Sequence, residues 1–135
     1  RLLFAEYNMF RFDFSEILRK GPSLTHLSLE NWQKSHPNDE IFFIMGSDSF
    51  ATITTWDHWQ GMILNSNIIV IPRSEKPNSI KIPSAWACHK EKIHILNESV
   101  QPISSTLIRE TKNLSKLKDY LGNKVETYYL EHFVN

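Results

Sequence analysis

The sequence has little of several things that would each have pointed to a function. A single cysteine, Cys88, leaves no partner for an internal disulfide and excludes any multi-cysteine zinc site, which predicts a reducing, cytoplasmic setting. Four glycines in 135 residues are too few for a glycine-rich phosphate cradle, and neither a GxGxxG nor a P-loop lysine pattern occurs. Lys+Arg and Asp+Glu are both 15, so no overall field draws the chain to nucleic acid or to an anionic membrane. Any anion site must therefore be local. No apolar run approaches the ~20 residues of a membrane helix. No Ser/His/Asp or Cys/His nucleophile arrangement is legible in the spacing, and the adjacent Cys88-His89 pair stands alone.

What remains is an ordinary globular composition, 41% hydrophobic and 22% charged, at a length that predicts one domain spanning residues 1–135. Arg1 to Met9 reads as the last turns of a helix. Phe10-Arg11-Phe12-Asp13-Phe14 alternates apolar and polar, which predicts a half-buried strand. Gly21-Pro22-Ser23 is a turn, and Ser23 or Thr25 can cap a helix running to about Lys34. Ile41 to Met45 and Ile68 to Ile71 are solid apolar runs, the pattern of parallel strands covered on both faces, and Ile93 to Leu96 is a shorter third. After Gly46-Ser47-Asp48 a helix is predicted to about Leu64. Residues 74–92, with Pro77 and Pro83, read as a long surface connection. Asn123 and Glu126 form a capping box for a last helix that packs through Val125, Tyr128, Tyr129 and Phe133. The fold class is α/β, a Rossmann-like parallel sheet with flanking helices.

In open sheets of this kind ligands sit beyond the carboxyl ends of the strands, where Gly46-Ser47-Asp48, Pro72-Arg73 and Pro102 to Ser105 all fall. The last of these is the most telling. Ser104 caps a helix whose first turn holds Ser105, Thr106 and Leu107 in place of an acid, with Arg109 as its first charge. Such an end either binds a phosphate, through hydroxyls, backbone N–H groups and the guanidinium together, or is an ordinary helix start with Arg109 in solvent. Asp48 either accepts the hydroxyls of a ribose or caps the following helix. Trp56 either offers its face to an aromatic base or belongs to the core, and Arg73 either pairs with a phosphate or is a plain surface arginine.

Taken together, Gly21-Pro22-Ser23-Leu24-Thr25, Gly46-Ser47-Asp48, Trp56, Pro72-Arg73, Ile103-Ser104-Ser105-Thr106-Leu107-Ile108-Arg109 and the Val125–His132 tail resemble the bacterial nicotinate mononucleotide adenylyltransferases. The resemblance implies adenylyl transfer from ATP to nicotinate mononucleotide, giving nicotinate adenine dinucleotide and pyrophosphate. It assigns Ser104, Ser105 and Arg109 to the ATP phosphates, with Ser105 and Arg109 catalytic, and sets Asp48 by a ribose. Gly46, Asp48, Trp56, Arg73 and Thr25 border the pyridine nucleotide, with Trp56 stacked on its ring and Thr25 near its carboxylate. Mg²⁺ is expected on the ATP phosphates and water, with no protein metal site. The expected partners are nucleotides alone, with no nucleic acid and no membrane.

Two departures from the family pattern qualify the resemblance. The GxFDPxHxGH segment, whose histidines contact the ATP phosphates in the family, is absent, so the resemblance implies an incomplete nucleotidyltransferase fold, inactive alone. Its exposed sheet would then be covered by an N-terminal segment or by self-association. The alternative is a non-catalytic nucleotide-binding or interaction remnant. The second departure is Leu24, where the family often carries an aromatic.

Overall fold

The structure, a computed structural model, describes residues 7, 9–73, 76–98, 103, 105–110 and 121–133. The chain divides into two units, residues 14–102 and residues 1–13 with 103–135. The first holds a three-stranded parallel sheet, β1 (Phe42–Gly46), β2 (Asn67–Ile71) and β3 (Ile93–Ile95), in that order. Before it come α1 (Ser15–Leu18) and α2 (Thr25–Ser35), and between β1 and β2 lie α3 (Ser47–Ala51) and α4 (Gln60–Asn65). The Rossmann-like parallel architecture expected from the apolar runs is present. No helix among the described residues is long and apolar enough to cross a membrane.

Register explains which face is the core. Phe43 and Met45 of β1 stand beside Ile68 and Val70 of β2, and Ile93 stands beside Ile68. Met45, Ile68, Val70 and Ile93 are buried with Leu29, Phe50, Ile53, Met62, Ile63 and Trp86 in one cluster. The period of two puts Phe42 and Ile44 on the opposite face, where they stay 45% and 60% exposed. This corrects the expectation of burial on both faces: a solid apolar run does not by itself say that both sides find partners.

Helix α2 packs on α4, and Gly61 permits the approach, since a Cβ there would lie 3.2 Å from the His26 Cβ. Lys92 Nζ donates to the Ile63 and Leu64 carbonyls at 2.9 and 3.3 Å, closing the free end of α4. On α2, Lys34 bonds Glu30 at 2.7 Å, and that hydrogen bond holds the Glu30 carboxyl below its usual range. A lowered carboxyl contributes its small stabilisation near neutral pH and loses it as pH falls through its own range.

Four further expectations are corrected. The segment Phe10–Phe14 is not a strand: the sheet is built from β1, β2 and β3, Phe14 leads into α1, and the rings of Phe10, Phe12 and Phe14 are 44%, 40% and 45% exposed. Alternation marks a face to bury without supplying a ladder. The helix expected after Asp48 to about Leu64 begins earlier, at Ser47, and is broken into α3, a 3₁₀ turn at Ile53–Thr55 and α4. Thr52 and Thr55 each turn a hydroxyl back onto the chain, to the Ser49 carbonyl at 3.2 Å and the Thr52 carbonyl at 2.8 Å, and β-branched Ile53 and Thr54 further weaken helix there.

Residues 74–92 are not a bare connection, because a 3₁₀ stretch, Ser84–Lys92, carries the fully buried Trp86. The last helix, labelled α6 (Asn123–Phe133), starts one residue earlier than a box capped by Asn123 requires, with Gly122 ahead of it at φ 67° and accepting from the Glu126 N–H at 2.9 Å. In it Val125 and Tyr129 are half-buried and Tyr128 is 47% exposed. The expected helix end at residues 1–6 and 8, and the Phe133 side chain, lie outside the described residues.

Candidate functional site

At the carboxyl end of β1 the chain passes straight from strand to helix. Gly46 ends the strand and Ser47 begins α3, so Asp48 emerges above the sheet. The end of β2 meets it there. Ser47 is 4% exposed and its Oγ accepts from the Arg73 N–H at 3.3 Å, while Arg73 Nε lies 3.2 Å from Asp48 Oδ1. Two of the three clusters expected on this rim are therefore one cluster. The ion pair is partly exposed, which makes it weak and easily rearranged by a ligand.

Gly46 leaves room for this arrangement. A Cβ at that position would stand 2.5 Å from Asp48 Oδ1 and 2.9 Å from Arg73 Nε. Because both neighbours are ends of flexible side chains, Gly46→Ala is expected to displace them with a stability loss of roughly 1 kcal/mol or less in denaturant unfolding.

Thr25 and Trp56 come together at a second position. They line one cleft of about 180 Å³ with Ser23, Leu24, His26, Asp57 and Met62. The break in the expected helix creates it: Trp56 takes an extended conformation at ψ 147° and is half-buried, outside the core cluster that it flanks. Trp86 takes the inward role, its ring 6.2 Å from that of Trp59, which like Trp56 is half-buried against the core cluster. The opposite wall is the start of α2. Leu24 occupies the cap position without a side-chain bond, no acid stands in the first turn, and Ser23, which could have capped, gives its hydroxyl to Glu16 at 2.5 Å. Ser28 bonds the same carboxylate at 2.6 Å. The Glu16 carboxylate therefore stands at the start of α2, and the cleft beside the indole suits a flat aromatic ring.

The missing first-turn acid and Leu24 at the cap were legible in the sequence, but not the Glu16 carboxylate that reaches this helix start from α1. Ser23, His26 and Asp57 were not anticipated as cleft residues. A larger cleft of about 490 Å³, lined by Ser47, Phe50, Ala51 and Ser79 to Pro83, was likewise missed, because its wall depends on the 3₁₀ turn Pro77–Ser79 and the chain after it.

In the other unit a helix does begin where the sequence places one, as α5 (Ser105–Glu110), with Arg109 exposed and no acid in its first turn. Ser104 and the Ser105 side chain lie outside the described residues. Among the described residues no group of three or more His, Cys, Asp or Glu is placed to hold a metal ion.

The sequence matches the cytidylyltransferase-like family over residues 2–111. It is 35% identical over 101 residues to a probable nicotinate-nucleotide adenylyltransferase of Flavobacterium johnsoniae, covering 71% of this chain and 50% of that protein. To a protein of the same description from Shewanella woodyi it is 33% identical over 127 residues, covering 82% of this chain and 59% of that one. Thus the chain spans between half and three-fifths of these relatives. The fold is shared with a solved Plasmodium falciparum nicotinic acid mononucleotide adenylyltransferase complexed with APC, at TM-score 0.67 and 23% identity, covering 91% of this chain and 62% of that one.

Proposed function

The chain belongs to the cytidylyltransferase-like family, and on that premise we propose that it provides the pyridine-nucleotide side of an enzyme transferring the adenylyl group of ATP to nicotinate mononucleotide. The observation that carries the proposal is the shared cleft of Thr25 and Trp56, two residues from separate segments that face one small space. Relatives at 35% and 33% identity that bear the same activity in their names support it.

In this account Trp56 stacks on the pyridine ring, and Thr25 lies near the ring's carboxylate. Asp48, released from Arg73, accepts ribose hydroxyls, and Arg73 turns to the nucleotide phosphate beside Gly46. Ser104, Ser105 and Arg109 hold the ATP phosphates. The reaction is a displacement: an oxygen of the 5′-phosphate bonds to the α-phosphorus of ATP, and the bond to pyrophosphate breaks. The protein's part is to orient both nucleotides and to neutralise charge. Mg²⁺ held by the ATP phosphates and water would supply charge neutralisation. A cytoplasmic setting, expected from the single cysteine, belongs to the same proposal.

The test is Trp56→Ala. Calorimetric titration should show nicotinate mononucleotide weakened by about 1–3 kcal/mol, the range of one lost aromatic stack. ATP affinity should stay within about twofold, well under 1.4 kcal/mol. Equal losses for both nucleotides, together with a lowered melting temperature, would make Trp56 a packing residue.

A further inference from the structure

The wall of the cleft that faces Trp56 is held from outside the cleft. Four of the seven lining residues, Ser23, Leu24, Thr25 and His26, are the entry to α2 and its first two members. A helix entry keeps its place when a side chain engages the free N–H groups of the first turn. Here Leu24 stands at the cap and makes no side-chain bond, and α2 has no acid of its own in that turn. The Leu27 N–H closes the turn on the Leu24 carbonyl at 3.1 Å.

Glu16 of α1 supplies the missing grip. One of its carboxylate oxygens accepts from Ser23, ahead of the turn, at 2.5 Å, and the other accepts from Ser28, just past it, at 2.6 Å. One side chain thus spans the whole turn. Gly21, at φ 115°, lets the chain double back and bring α1 to that position. Core packing does not account for the contact, because α1 buries none of its side chains and Ile17 and Leu18 are 79% and 80% exposed.

We propose that Glu16 is a positioning residue for the pyridine nucleotide, acting without touching it, by holding residues 23–25 in the conformation that faces Trp56. The inference rests on the assignment of the cleft made above. Glu16 does not line the cleft, so its influence passes through Ser23 and Ser28. A cleft whose wall is formed for part of the time binds with an affinity reduced by that fraction. Two hydrogen bonds to a carboxylate, stronger than bonds between neutral groups, keep the formed state dominant.

The experiment compares the unaltered chain with Glu16→Ala and Glu16→Gln, by calorimetric titration with nicotinate mononucleotide and with ATP, and by NMR-detected exchange of the Leu27 amide. Glu16→Ala should weaken nicotinate mononucleotide about threefold to tenfold, the fall expected if the formed wall drops to between about a third and about a tenth of the population. ATP affinity should stay within about twofold. Exchange at Leu27 should quicken in Glu16→Ala and slow again when the mononucleotide is added, which a residue serving global stability alone would not show. Glu16→Gln, able to accept from one serine and donate to the other, should recover most of the affinity. Ser28→Ala should weaken the mononucleotide in the same direction and add nothing to Glu16→Ala, and it carries the test should Glu16→Ala not fold. A folded Glu16→Ala chain that binds the mononucleotide as the unaltered chain does, or that loses both nucleotides alike, overturns the inference and leaves the cleft standing. No binding of the mononucleotide by the unaltered chain overturns both.

Discussion

Replacing Trp86 with alanine is expected to destabilise the protein by about 3–5 kcal/mol, the range for deleting a large buried aromatic side chain. Its ring is fully buried and packs against Phe50 at 5.8 Å and Trp59 at 6.2 Å between centroids, so its removal leaves a cavity between bulky aromatic neighbours. The indole Nε1–H has no partner among the described residues, so no hydrogen bond is lost in the exchange and the loss is one of packing. Urea unfolding should show a lower midpoint with an unchanged slope. The consequence reaches the site as well. Trp86 anchors the 3₁₀ stretch that feeds β3, and the chain just ahead of it walls the larger cleft beside Ser47. A loss below about 1 kcal/mol would contradict the packing described here, because it would place Trp86 among ordinary surface positions.

The second large effect concerns Arg109→Ala. An exposed guanidinium in the last turn of a short helix does little for the fold, so its removal should leave the melting temperature essentially unchanged. If it holds ATP phosphates, ATP affinity should drop by about 1.5–3 kcal/mol, the range for a hydrogen bond to a charged group. Affinity for nicotinate mononucleotide should change far less. Direct titration with each nucleotide separates the two, and an unaltered affinity for ATP would remove Arg109 from the phosphate site.

The strands and their parallel arrangement could be read from the chain because a sheet core imposes long apolar runs, and Ile41–Met45 and Ile68–Ile71 carry them openly. Which face would be covered could not be read, since Phe42 and Ile44 are as apolar as Phe43 and Met45, and only the register separates them. The pairing of Asp48 with Arg73 follows from the rule that polar residues after parallel strands share one rim. The cleft at Trp56 depends on a different kind of fact. Apolar residues from Phe50 to Ile63 suggest one continuous helix, whereas the threonine hydroxyls break it and turn Trp56 toward Thr25. The role of each tryptophan was likewise hidden: Trp86 sat in a stretch whose prolines and polar residues suggested a surface loop, yet it is more deeply buried than Trp56 or Trp59. Tertiary neighbours, not local pattern, decide such cases.

Calorimetric titration of the unaltered chain and of Trp56→Ala with nicotinate adenine dinucleotide would probe the pyridine cleft most directly. The account predicts saturable binding at one site per chain, weakened at least about fivefold by the substitution, which is about 1 kcal/mol. Binding that ignores the loss of the indole, or no binding by a chain shown to be folded, would contradict it.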